Sequence, residues 1–142
     1  MLIKQLSLFV ENKPGSLYPI CKVLQDNDIN IRTLSLADTE QFGILRLLVK
    51  EWEKARDVLV AAGFIVKVTD VVALPVADHP GGLAELLKIV DKHNISVEYM
   101  YAFTFGHDQT AVMVFRFDNP EETVKFFHAE NVDAIKAFEL FK

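Results

Sequence analysis

The sequence predicts an α/β fold, an α+β sandwich made of two βαββαβ modules with antiparallel sheets. Three observations predict it. A pattern recurs after 66 positions, apolar spacing switches between period two and the helical period in the same order in both copies, and a Pro-Gly turn stands at the same point of each.

The repeat is carried by patterns more than by identities. Pro14-Gly15-Ser16-Leu17 returns as Pro80-Gly81-Gly82-Leu83. The set Leu17, Ile20, Cys21, Leu24 returns as Leu83, Leu86, Leu87, Val90, and its spacing places each set on one helical face. Ile29-Asn30-Ile31 then returns as Ile95-Ser96-Val97.

In the first copy, Leu6, Leu8 and Val10 alternate with Gln5, Ser7 and Phe9, which predicts a strand with one main core face. The Pro-Gly turn leads to a helix through about Asn27. Ile29 to Leu36 reads as a second strand, closed by the turn Asp38-Thr39-Glu40. Ile44 to Val49 is a third strand, dense in branched side chains. Trp52, Ala55, Leu59 and Ala62 form a helical stripe that Gly63 is placed to end, and Phe64 to Val68 reads as a short last strand.

The second copy follows the same order. Val72, Leu74 and Val76 form the first alternating set, and Pro80 to Asn94 contains the helix. Ile95 to Phe105 is extended, with a turn at Gly106-His107-Asp108, and Thr110 to Phe117 is the third strand. Asn119-Pro120-Glu121-Glu122 reads as a helix start with a capping Asn and Pro in the first turn. Ala134 to Phe141 is the expected last strand. Right-handed crossovers put both helices of each copy on one sheet face, a ferredoxin-like arrangement. The predicted domains are residues 1–69 and 70–142. Units this small bury little apolar surface alone, so they are expected to share an interface or to form a homodimer.

Composition narrows the function. Acidic residues outnumber basic ones, 20 to 15, and no Lys/Arg stripe is visible, which argues against nucleic acid as a partner. No apolar run reaches the roughly 18 residues of a membrane span, and the start of the chain lacks a signal-peptide pattern. These readings predict a cytoplasmic protein. Cys21 is the only cysteine and is expected to be a small buried hydrophobe.

Asp78-His79-Pro80-Gly81-Gly82-Leu83 is the segment with the most chemistry. Two glycines admit close backbone approach, and the helix that follows begins with unpaired N–H groups suited to a carboxylate. Asp78 is placed to accept from an ammonium group, and His79 to touch the same ligand. The same residues also fit a plain turn in which Asp78 caps the helix and the glycines relieve crowding. From the residues alone, both readings stand.

With these turns and patterns in view, the chain resembles a tandem ACT-domain protein along nearly its whole length. The resemblance rests on Asn12-Lys13-Pro14-Gly15-Ser16-Leu17, on Asp78-His79-Pro80-Gly81-Gly82-Leu83, and on Asn30, which matches the family's frequent Asn-Ile pair. It implies modules that bind an amino acid or similar metabolite and regulate a metabolic enzyme or other partner. It also implies candidate ligand contacts at Asn12, Pro14, Gly15 and Asn30 in the first copy. In the second they are Asp78, His79, Gly81, Gly82, Leu83 and Ser96. Neither copy is complete: Asn12 stands where the family often has Asp, and Ser96 where it has Asn.

Tyr99, Tyr101, Phe103 and Phe105 alternate opposite small counterparts in the first copy, and such a row calls for burial or for a ligand wall. Catalysis is the weaker expectation. The four histidines make no close metal-ligand pair, no nucleophile signature is present, and both usual nucleotide-binding glycine motifs are missing. No cofactor is expected. The predicted function is metabolite sensing transmitted through packing, with ligand-independent interaction or oligomerisation as the alternative and a small metabolic enzyme behind both.

Overall fold

The computed structural model describes residues 2–38, 40–103 and 110–142. The chain divides into two compact units: Lys4–Thr69, and Asp70–Lys142 together with residues 2–3.

The elements of the first unit are β1 (Ile3–Glu11), α1 (Tyr18–Asp26), β2 (Ile31–Asp38), β3 (Phe42–Val49), α2 (Trp52–Ala61) and the opening of β4 (Val66–Ala77). Its strands run in the order β2-β3-β1-β4. β3 is antiparallel to both neighbours, with Leu6 opposite Leu47 and Leu36 opposite Leu45. Leu6, Leu8, Val10, Leu45 and Leu47 form one buried cluster with Ile20 and Leu24 of α1 and Ala55 and Leu59 of α2. Phe9, on the other pleat of β1, is 69% exposed. Gly63 follows α2 with φ +95, the left-handed stop that its position in the sequence predicts.

Cys21 departs from expectation, because its side chain is exposed. The buried stripe of α1 is centred on Ile20 and Leu24, with Val23 packed on its flank. Cys21 is about 100° around the helix from Ile20, on the opposite flank from Val23.

The expected strands at Phe64–Val68 and Val72–Val76 are one strand, β4. Neither glycine nor proline stands between Val68 and Val72, and the branched residues Val66, Val68, Thr69, Val71 and Val72 favour continuous extension through Asp70.

The second unit adds α3 (Gly82–Lys92), β5 (Val97–Ala102), β6 (Thr110–Phe117), α4 (Pro120–Ala129) and α5 (Ala137–Leu140). β6 is antiparallel to β4, with Val72 opposite Phe115, and to β5. Val72, Leu74 and Val76 are buried with Leu86, Val90, Phe115, Phe117, Val124 and Phe127. Phe115 stacks on Phe117 at 5.1 Å between centroids, and Phe127 meets Phe117 at 6.0 Å.

α4 starts where the sequence places it. The Glu122 N–H donates to Asn119 Oδ1 at 3.3 Å, and Asn119 Nδ2 donates to Glu122 Oε2 at 2.8 Å. The end of the chain does not form the expected strand. Ile135 N–H donates to Ala73 O at 2.8 Å, and the chain then coils into the single turn of α5. Alternation fails there because Leu140 and Phe141 are adjacent and both buried, whereas Phe138 is 72% exposed.

Tyr99 and Tyr101 of β5 are half-buried, and Phe103 beyond it is buried. Phe105, His107 and the expected turn at Gly106-His107-Asp108 lie outside the described residues, as does Thr39.

Candidate functional site

The turn ahead of α3 is shaped by its glycines in two different ways. Gly81 precedes the helix with φ +89, a left-handed conformation, and a Cβ there would meet nothing within 4 Å. Gly82 is buried, and a Cβ there would fall 1.8 Å from Ala77 O. Backbone dihedrals therefore require the first glycine, and the close approach of α3 to the end of β4 requires the second.

Asp78 does not cap α3, since Gly81 is the capping residue and makes no side-chain cap bond. The capping half of the plain-turn reading is thus corrected: the chain turns through Gly81 before the helix, and the cap position passes to a residue with no side chain. The carboxylate of Asp78 is exposed. His79 Nδ1 donates to Pro80 O at 2.9 Å, and the Gly82 N–H donates to His79 O at 3.0 Å. The first helical bond runs from Glu85 N–H to Gly81 O. Leu83 is at the helix start and partly exposed.

The corresponding turn of the first unit is exposed at Asn12, Pro14 and Gly15. Asn12 N–H donates to Gln41 O at 2.9 Å, and Gly15 has φ +86, matching Gly81. α1 starts only at Tyr18, with Leu17 as a cap that makes no side-chain bond.

A cleft of about 530 Å³ opens beside the second turn, within the size range of small-molecule sites. Pro75, Val76 and Ala77 at the end of β4 and Gly82 at the start of α3 form one end. Glu85, Leu86, Lys88, Ile89 and Lys92 of α3 line its length, and Glu130 and Val132 lie opposite. Lys92 Nζ donates to Glu130 Oε1 at 2.6 Å, and His93 Nε2 lies 3.2 Å from the same oxygen. These two hydrogen bonds, that from Lys92 first, hold the Glu130 carboxyl below the usual carboxylate range. His93 also stacks on Phe126 at 4.6 Å.

Among the described residues, two shallower hollows lie in the first unit. One, of about 260 Å³, is lined by Phe9, Glu11, Gly15, Ser16, Pro19 and Phe64, among others. The other, of about 410 Å³, includes Cys21 and Asn30 and shares no lining residue with the first. Gly15 and Asn30 are thus in separate hollows. Ser96 is exposed, its N–H 3.4 Å from Asp118 Oδ1, and does not line the large cleft.

The cleft brings in Glu85, Lys88, Lys92 and Glu130, none of which the sequence reading singled out. A signal was present: Glu85, Lys88 and Lys92 follow one another at helical spacing on a stripe beside the buried one. Among the described residues, no group of three or more His, Cys, Asp or Glu side chains is arranged to hold a metal ion. No helix of the described residues is long and apolar enough to cross a membrane.

Over residues 1–142 the chain matches the family described as ACT domain pair. Its structure is similar to the crystal structure of protein BT0572 from Bacteroides thetaiotaomicron. That likeness has 36% identity, a TM-score of 0.92, and coverage of 100% of this chain and 97% of the other. The fold is also similar to the ligand-free regulatory subunit of aspartate kinase from Thermus thermophilus. There the identity is 14%, the TM-score 0.64, and the coverage 90% and 93%. The same subunit from Thermus flavus has 14% identity and a TM-score of 0.64, with coverage of 98% and 92%. At such identity the likeness concerns the fold alone. No curated protein matches the chain.

Proposed function

This chain belongs to the ACT-domain family, as a pair of such modules, and from that premise we propose that it senses an amino acid or similar small metabolite. Modules of this family are non-catalytic regulators that bind small metabolites and oligomerise. The observation that carries the reading is the cleft of about 530 Å³ that opens against Gly82. Beside it, Asp78 is exposed and takes no part in capping α3. A zwitterion fits this turn with its ammonium on Asp78 and its carboxylate on the helix start, within reach of His79, Gly81 and Leu83.

Binding then acts by biasing how the modules or a pair of chains pack, which changes the surface shown to a metabolic enzyme or other regulator. The protein works as a homodimer in the cytoplasm. An exposed, unpaired Cys21 suits that reducing compartment.

Calorimetric titration with each of the twenty amino acids tests the proposal. At least one should bind, and Asp78→Ala should weaken it about tenfold with folding intact. Absence of binding at millimolar concentration by all twenty rejects amino-acid sensing.

One observation favours the second reading, association without a ligand. Phe9, Leu34, Leu36 and Phe42 of the first unit are all large, apolar and about half or more exposed. Under that reading the oligomeric state measured by light scattering is the same with and without amino acids.

A further inference from the structure

The geometry points to one ligand site per chain, in the α3 cleft of the second module, for a zwitterion read by Glu85 and Lys88. This rests on the sensing reading above and specifies where and by what charges the ligand is held.

The two helix-side hollows next to the glycine turns are the same place in the repeat. Phe9, Val10, Glu11, Ser16, Pro19 and Phe64 line the small one, and the residues 66 positions on line the large one: Pro75, Val76, Ala77, Gly82, Glu85 and Glu130. Pro19 has no charge to offer where Glu85 stands, and Phe64 fills space where Glu130 leaves it. The volume falls accordingly, from about 530 to about 260 Å³.

The cations differ in the same sense. Lys88 corresponds to Lys22, whose Nζ is bound to Asp26 Oδ1 at 2.8 Å within α1. The counterpart of Asp26 is Lys92, and Lys92 pairs with Glu130 instead. Among the described residues, neither Glu85 nor Lys88 takes part in an ion pair. Three residues apart on one helix, their Cβ atoms lie about 5–6 Å from each other, a span over which Glu85 joins Asp78 on the ligand's ammonium and Lys88 joins the helix start on its carboxylate. Val76, Leu86, Ile89 and Val132 supply an apolar floor for an aliphatic side chain. The Lys92–Glu130 pair, its charges already matched, forms a wall of the cleft.

Amide NMR spectra of the full chain, titrated with each of the twenty amino acids, test this. The ligand that binds should shift the Gly82, Lys88 and Ile89 amides, leave Gly15 and Ser16 in place, and saturate at one per chain. Glu85→Gln and Lys88→Met should each weaken it about tenfold, and Glu130→Phe, which copies the first module's plug, should abolish it. Phe9→Ser should change nothing. Because Glu130→Phe also removes an ion pair, Lys88→Met at an exposed position keeps the test readable if that variant unfolds. Shifts confined to Gly15, Ser16 or Asn30, or undiminished binding by both Glu85→Gln and Lys88→Met, overturn this site while leaving the sensing reading intact. A spectrum that none of the twenty changes overturns both.

Discussion

Ser16 and Gly82 occupy the same position in the repeat, yet only one helix begins there. α3 starts at Gly82 itself, pressed so close to Ala77 O that a Cβ has no room. α1 starts at Tyr18, two residues beyond Ser16. A Cβ at Ser16 rules out the approach that Gly82 makes to its strand. The same fold with the same left-handed glycine just before it, Gly15 or Gly81, ends with two different cavities.

The largest test of this difference is Gly82→Ala. It should cost about 3 kcal/mol in chemical denaturation, since the added Cβ meets backbone that cannot step aside, whereas Ser16→Ala should be nearly neutral. Equal stability of the two variants would dismiss the close approach.

Gly15→Ala and Gly81→Ala sharpen the comparison from the other side. Both sites are open to a Cβ, and both have positive φ. Each should therefore lose about 1–2 kcal/mol from dihedral strain alone, and clearly unequal losses would show that the turns differ in more than Gly82.

Capping gives a smaller contrast. α4 holds its first turn through Asn119, so Asn119→Ala should cost about 1 kcal/mol. Asp78→Ala, beside a helix with no side-chain cap, should leave the unfolding midpoint unchanged while weakening ligand binding.

The subtlest difference is in acid. Lys92 and His93 lower the Glu130 carboxyl in the folded chain, so its contribution is complete above the unfolded carboxyl's range and is lost as pH falls through the folded value. Wild type should melt above Glu130→Gln at neutral pH, and the gap should close in acid. Phe64, at that position in the first module, has no charge to lose. A gap that stayed constant with pH would mean that the Glu130 charge is not what matters.

Much of this was legible in the residues. The repeat, the strand-helix order as far as α4, the stop at Gly63, the cap at Asn119 and both glycine turns rest on local rules: period, left-handed φ and a side chain reaching its own backbone. The parts that were not legible depend on neighbours distant in sequence. Cys21 fits a helical stripe on paper, but the sheet beneath α1 selects Ile20 and Leu24. Ala134 to Phe141 alternates well enough for a strand, but burial of the adjacent Leu140 and Phe141 favours a helical turn. The cleft residues Glu85, Lys88 and Glu130 look like solvated surface until α3 and the segment after α4 are set facing each other.

By itself, then, the sequence determined that two like modules form, where each helix can stop, and which two turns need glycine, because each of these is decided within a few bonds. Tertiary structure alone decided which copy has the larger cleft beside its glycine turn and which the smaller hollow. That outcome depends on what stands across from a helix, Glu130 or Phe64, and no short stretch of chain contains both sides.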